Sequence, residues 1–190
     1  MDLFLNALIF TLTLILTVRF FRKDGSFRFS NGAAAFRYFT VLSNVFCAAA
    51  ALLMCAAPSL PWVWTLKYMG TAAVTVTMLT VFLFLGPSMG YKKLLTGSEL
   101  FMHLVTPLLA IFSFFVFEKQ HMPLSTALLG VLPVLLYGLL YLHKVVRVSA
   151  EKRWEDFYGF NKNGKWPISF AVMVLGAFAI SLGFMFLQNR

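Results

Sequence analysis

The chain has 190 residues, of which 60% are hydrophobic and only 12% charged, and its formal net charge is +9. A water-soluble domain carries about 25% charged residues, so this composition excludes one and reads as an integral membrane protein. The positive charge lies in short stretches between apolar runs, which argues against a nucleic-acid surface and for contact with anionic lipid headgroups.

The first apolar run covers about residues 3–18. Met1-Asp2 supplies no basic leader, and Arg19-Phe20-Phe21-Arg22 is no small-residue cleavage site, so the run reads as a retained helix rather than a signal peptide. The second run, 34–57, contains FRYFTVLSN at 36–44, with four polar side chains at its start: Arg37, Thr40, Ser43 and Asn44. Four more runs follow, at 62–86, 99–117, 124–142 and 167–187. Each is near the roughly 20 residues that a spanning helix needs. The predicted fold is all-α: a single polytopic bundle of six transmembrane helices, with no soluble domain and no internal repeat. Cys47 and Cys55 are predicted on one face of the second helix, but roughly 12 Å apart along its axis, too far for a disulfide within that helix.

Charge predicts direction. Of the 16 Lys and Arg residues, thirteen fall in or beside loops one, three and five: Arg19, Arg22, Lys23, Arg28, Arg37, Lys92, Lys93, Lys144, Arg147, Lys152, Arg153, Lys162 and Lys165. The other side receives three, Lys67, Lys119 and Arg190. The odd loops are therefore expected in the cytoplasm, with both termini on the non-cytoplasmic side. Loop five, 143–166, interleaves basic residues with Trp154, Phe157, Tyr158, Phe160 and Trp166. It suits a segment in the headgroup layer, either as an ordinary aromatic and basic belt or as a lid over a site.

Polar side chains inside hydrocarbon are costly and mark function or helix contacts. Thr40 is expected about six residues into the second span, roughly 9 Å deep, and His103 one turn into the fourth, roughly 6 Å deep. Both spans start from the same side, so the two can meet if the helices are neighbours. Ser43 and Asn44 share the face of Thr40. Glu99, one turn before His103, is placed to bond its ring. Tyr137, Tyr141 and His143 are expected near the same level, as are Thr80 and Ser169, whereas His121 belongs to the opposite face. Each has a plainer reading. A membrane threonine commonly returns its hydroxyl to a carbonyl one turn back, and a single histidine is often a packed hydrogen-bonding group. Thr71, Thr75 and Thr77 read as helix-contact residues. No metal or other cofactor is implied: His103, His143 and Glu99 fall short of a zinc ligand set, and His143 is too shallow to share a haem with His103.

YFTVLSN at 38–44, the HxxxP spacing of His103 and Pro107, WEDFYGFN at 154–161 and the six-span layout make the chain similar to a known family. It resembles the androgen-induced protein and androgen-dependent TFPI-regulating protein family, including its short bacterial relatives. The resemblance implies an intramembrane threonine hydrolase acting on fatty acid esters of hydroxy fatty acids, with Thr40 as nucleophile and His103 as base. It also implies a bacterial inner (plasma) membrane, and leaves the substrate of this chain open. In such a mechanism Ser43, Asn44, Tyr137 or Tyr141 are candidate oxyanion donors, Glu99 a candidate for orienting His103, and Arg37 a candidate partner for a substrate carboxylate. The expected partners are membrane lipids or fatty acid esters and anionic headgroups at the basic loops; the oligomeric state is open. Two rivals stand beside the hydrolase. One is an acyltransferase using the same dyad on a lipid alcohol. The other is a non-enzymatic lipid-binding or transport protein, against which the lack of repeats and of central Gly/Pro breaks in spans two and four counts.

Overall fold

In a computed structural model, which describes residues 3–23 and 25–190, six helices are long and apolar enough to cross a membrane. We number the helices in chain order: α1 (Leu3–Phe20), a short α2 (Phe29–Ala35), α3 (Phe39–Ala56), α4 (Pro61–Met89), α5 (Ser98–Phe117), α6 (Leu124–Arg147) and α7 (Trp166–Gln188). Between α1 and α2, Arg22–Lys23 and Ser26–Phe27 form a two-residue antiparallel pairing.

Local chemistry sets the helix ends. Pro61 and Pro167 sit in the first turns of α4 and α7, where a missing N–H costs nothing. Gly90 takes φ 88° directly after α4, and Gly97 takes φ 61° directly before α5, conformations that a side chain would oppose. Two corrections to the sequence expectation appear at the ends. The second span starts at Phe39, not near residue 34, because residues 36–38 leave helical geometry between α2 and α3. The fifth runs on to Arg147, through a π-helical last turn.

Helix α4 is the most buried of the six and packs against α3, α5, α6 and α7. Its approach to α3 is close: a Cβ at Gly70 would lie 2.8 Å from Cys47 Cα. Small residues at a membrane helix contact permit this separation. Toward the end of the bundle that carries the chain termini, Trp64, Tyr68, Phe114 and Phe184 form an aromatic core. Tyr68 Oη donates to the Ala127 carbonyl at 2.6 Å and so ties α4 to α6. Thr71, Thr75 and Thr77 return their hydroxyls to carbonyls one turn back, as expected of helix-contact residues. Large apolar side chains such as Leu83, Leu136, Ile168 and Leu175 project outward, as a lipid-facing surface requires.

Besides α6 in its last turn, two helices change pitch near the opposite end. Val81–Leu85 in α4 and Phe101–Val105 in α5 are π-helical turns, lying just before Pro87 and Pro107 respectively. A proline cannot donate to the carbonyl four residues back and crowds it, which accounts for the widening at both places. In α5 the crowded carbonyl is that of His103, so its imidazole stands on a widened turn.

Candidate functional site

Thr40 is the second residue of α3, in its first turn. That is shallower along its own helix than expected, because α3 begins later. His103 lies in the π-turn of α5 and is 5% exposed. The two meet: Thr40 Oγ1 and His103 Nε2 are 3.3 Å apart. The other ring nitrogen, Nδ1, lies 2.8 Å from the carbonyl oxygen of Leu94. A carbonyl only accepts, so Nδ1 carries a proton, and in the neutral ring Nε2 presents its lone pair to the threonine hydroxyl.

Glu99 does not orient the ring through Nδ1; the backbone at Leu94 does. The Glu99 carboxylate instead stands 3.5 Å from Nε2, on the side where the imidazole would take up a proton. It is half exposed, so solvent weakens its pull.

Ser43 and Asn44 lie beside Thr40 as expected, but their donors are aimed at the helix frame. Ser43 Oγ is within hydrogen-bonding distance of both the Thr40 carbonyl (3.1 Å) and Thr77 Oγ1 (2.8 Å). Asn44 Nδ2 donates to the Thr40 carbonyl at 2.8 Å and to the Met102 carbonyl at 3.0 Å. Both amide hydrogens are thus occupied, which corrects the oxyanion role considered for Asn44. Its work is to clamp α3 to α5 at the level of the dyad. Tyr137 donates to the Arg37 carbonyl at 2.7 Å and Tyr141 to Asp156 Oδ1 at 2.8 Å, so neither hydroxyl hydrogen is free for an oxyanion. The Arg37 side chain is exposed and does not line the cavity that holds the dyad. Lys93 does. His143 is likewise exposed.

That cavity has a volume of about 460 Å³ and is bordered by Thr40, Glu99, Lys93, His103, Phe157 and Tyr158, among others. Its size falls within the range of small-molecule sites. The last two residues come from the loop before α7 and border the cavity beside Thr40 and His103. Asp156 shapes this loop: Oδ1 accepts from Tyr141 Oη and the Phe160 N–H, and Oδ2 from the Asn161 N–H. Phe157 packs on Tyr38 and Tyr141 with ring centroids 4.6 and 5.0 Å apart.

Tyr158 was read from sequence only as one of the aromatic residues of loop five, with no role of its own. Its Oη accepts the Phe39 N–H at 2.9 Å, capping the helix that carries Thr40. Burial pushes the phenol up to about 12, so it stays a protonated donor at neutral pH. Its contact with Phe39 spans 119 positions, and the aromatic loop composition carries no signal that singles it out.

A second polar group also lies outside the sequence expectation. Lys67, counted there among the loop charges, is fully buried. Its Nζ donates to Asn6 Oδ1 at 2.6 Å and stands 3.7 Å from Glu118 Oε1, which also accepts from Ser113 Oγ at 2.9 Å and from Asn6 Nδ2. Asn6 and Lys67 inside apolar runs were the available signal. This cluster lies at the other end of α4 from the dyad. Among the described residues, no three His, Cys, Asp or Glu side chains gather as a metal site would need.

Comparison of the chain with protein-family models, with curated proteins and with solved structures finds no match.

Proposed function

We propose that the protein is an intramembrane lipid-ester hydrolase in which Thr40 is the nucleophile and His103 the base. The observation that carries this reading is the pairing of Thr40 Oγ1 with Nε2 of His103, which the neutral ring leaves unprotonated, inside a cavity bordered by an aromatic loop. A threonine hydroxyl is a weak nucleophile until a base takes its proton. Here Oγ1 attacks the ester carbonyl carbon as its proton passes to Nε2, and the acyl–oxygen bond to the alcohol then breaks. The leaving alkoxide takes the proton from Nε2. Water next attacks the acyl-threonine and gives its proton to His103; the bond from Oγ1 to the acyl carbon breaks and Thr40 recovers its hydrogen. Fixed by Leu94, the ring exchanges protons through Nε2.

Two features support stabilisation of the oxyanion. Thr40 stands at the positive end of the α3 dipole, and the Tyr158 phenol, hydrogen-bonded with the Tyr137 hydroxyl, borders the same cavity. The fatty acid esters of hydroxy fatty acids implied by the family resemblance combine apolar chains with a carboxylate, and Lys93 at the cavity wall suits the latter. On the charge bias, the dyad end of the bundle faces the cytoplasm, in a bacterial inner membrane. Removing the buried Lys67 from the loop charges strengthens that bias.

The test is covalent labelling of purified protein by an activated acyl probe such as a fluorophosphonate, with hydrolysis of a long-chain ester measured in parallel. Added mass on the peptide containing Thr40, absent from Thr40→Ala and His103→Ala, is expected. Hydrolysis retained in both variants would refute the mechanism. A folded protein that neither labels nor hydrolyses would favour lipid binding or transport, and transfer of the acyl group to an added lipid alcohol would mark an acyltransferase. Cysteine-accessibility labelling of loop five in oriented membranes tests the sidedness.

A further inference from the structure

Thr40 borders two spaces. One is the dyad cavity. The other is a narrow void it shares with Thr80, Tyr158, Phe160 and Met173. Those four residues also border a groove between α4 and α7, of about 380 Å³, whose lining is mostly apolar. From Ile168 to Ile180 the α7 wall of this groove is twelve residues long, or roughly 18 Å. One leaflet's share of a hydrocarbon core is roughly 15 Å. The outer rim, Phe84, Ile168 and Val172, is exposed on the lipid face. A larger lipid-facing groove of about 510 Å³ between α3 and α6 borders Ser43 and Tyr137 but not Thr40.

We infer that the α4–α7 groove binds the acyl chain of the ester, admits it sideways from the leaflet, and presents its carbonyl end to Thr40 beneath Tyr158. This inference rests on the hydrolase reading. The occupant is a single unbranched acyl chain: the groove is as long as one leaflet and bounded by two helices, and its polar side chains, Thr80, the Tyr158 phenol and Ser169 in the first turn of α7, gather at the end that carries Thr40. The leaving alcohol takes the dyad cavity on the other side of Thr40, where Lys93 and Glu99 lie.

Gly176 makes the groove testable. It borders the groove, and a Cβ built on it meets nothing within 4 Å, so Gly176→Leu fills the groove without disturbing the bundle. Gly183, on the same helix, is equally open and does not border the groove, which makes Gly183→Leu the control. We expect Gly176→Leu to lower kcat/KM for a palmitoyl ester by roughly tenfold or more, the scale of a few misplaced methylenes, while a butyryl ester and Gly183→Leu stay near wild type. A chain-length profile in Gly176→Leu that matches wild type, or an equal loss in Gly183→Leu, overturns the groove. A second readout needs no turnover. A photoreactive palmitate added to the Thr40→Ala protein should label peptides of α4 and α7, be displaced by palmitate but not by phosphatidylcholine, and lose its labelling in Gly176→Leu. Labelling spread over all six helices, or displaced by bulk phospholipid, shows an annular lipid and overturns the groove even if the hydrolase reading has itself failed. Loss of Thr40 dependence with this labelling intact removes the reaction and keeps the groove.

Discussion

The Nδ1 of His103 stands 2.8 Å from the carbonyl oxygen of Leu94, nine positions earlier in the chain. A main-chain acceptor thus does what a carboxylate commonly does for a general-base histidine: it selects the tautomer and holds the ring. It also brings no negative charge into a weakly solvated site, and so no desolvation cost. The Glu99 carboxylate, near the other nitrogen and about half exposed, adds only a screened attraction. Glu99→Gln should therefore change kcat/KM by no more than roughly fivefold, the value of about 1 kcal/mol that exposed ion pairs reach. A loss as deep as that of His103→Ala, measured in the same ester assay, would make Glu99 part of the proton path.

Tyr158 should matter far more than its place in a loop indicates. Tyr158→Phe keeps the ring contacts of the loop but removes the hydroxyl facing the Thr40 cavity. Loss of one donor to a developing oxyanion costs about a hundredfold or more in kcat, and that loss is expected here with KM little changed. A fall confined to KM would instead assign Tyr158 to substrate binding.

The same phenol links the loop to alkaline pH. Its value rises from the ordinary 10.0 to about 12 because burial disfavours the phenolate. Between those limits the unfolded chain releases this proton while the folded protein holds it, so folding loses stability as pH rises through that window and not below it. Thermal unfolding of wild type and Tyr158→Phe, compared across the window, should show the steeper alkaline loss in wild type. Parallel curves would mean that the hydroxyl is solvated in both states.

Asn44 shows how a residue readable in sequence was assigned a different task. It falls one turn from Thr40, and from spacing alone its amide is a plausible oxyanion donor. Both amide hydrogens instead hold main-chain carbonyls, one on α3 and one on α5. Asn44→Ala should lower stability in detergent by about 1 kcal/mol, within the range for membrane helix hydrogen bonds, and weaken activity by loosening the Thr40–His103 distance. Asn44→Asp, which keeps the shape but turns an acceptor oxygen toward both carbonyls in a buried site, should cost more than Asn44→Ala. Full stability with lost activity would return Asn44 to the chemistry.

What was legible followed from simple periodicities and depth. The apolar runs mark all six spans within a few residues, apart from the start of α3 and the end of α6, because a span's length is set by the bilayer. Thr40 and His103, paired from sequence by their expected depth, meet in the structure, although Thr40 stands at the start of its helix rather than six residues in. The start of α3 was misplaced because the apolar Ala33–Ala34–Ala35 of α2 continues the hydropathy signal through a break at residues 36–38 that hydropathy does not register. The roles of Leu94 and Tyr158 were out of reach for a different reason. Leu94 acts through its carbonyl, which every residue has, and Tyr158 through a loop shaped by Asp156, whose bonds cannot be read from composition. Lys67 was misread because a charge near the end of an apolar run has the same local pattern whether it snorkels to water or pairs inside.

The pairing of Lys67 is open to a direct test. Its ammonium and the Glu118 carboxylate are both fully buried, 3.7 Å apart, with Asn6 and Ser113 completing the group and Glu118 Oε2 without a hydrogen-bond partner among the described residues. Removing one partner strands a charge in a medium that cannot solvate it, at a cost of about 3–5 kcal/mol. Lys67→Met alone and Glu118→Gln alone should each lower the unfolding temperature in detergent markedly. The double variant, which leaves no charge behind, should regain most of the loss. The cluster is well removed from the site, since Lys67 and the Ser43 partner Thr77 are ten residues apart on α4, or roughly 15 Å. Ester hydrolysis per folded molecule should therefore stay near wild type in all three. If the double variant is no more stable than the singles, the ion pair is not what holds this end of the bundle. If activity per folded molecule falls with either single change, the cluster is coupled to the Thr40–His103 site through α4.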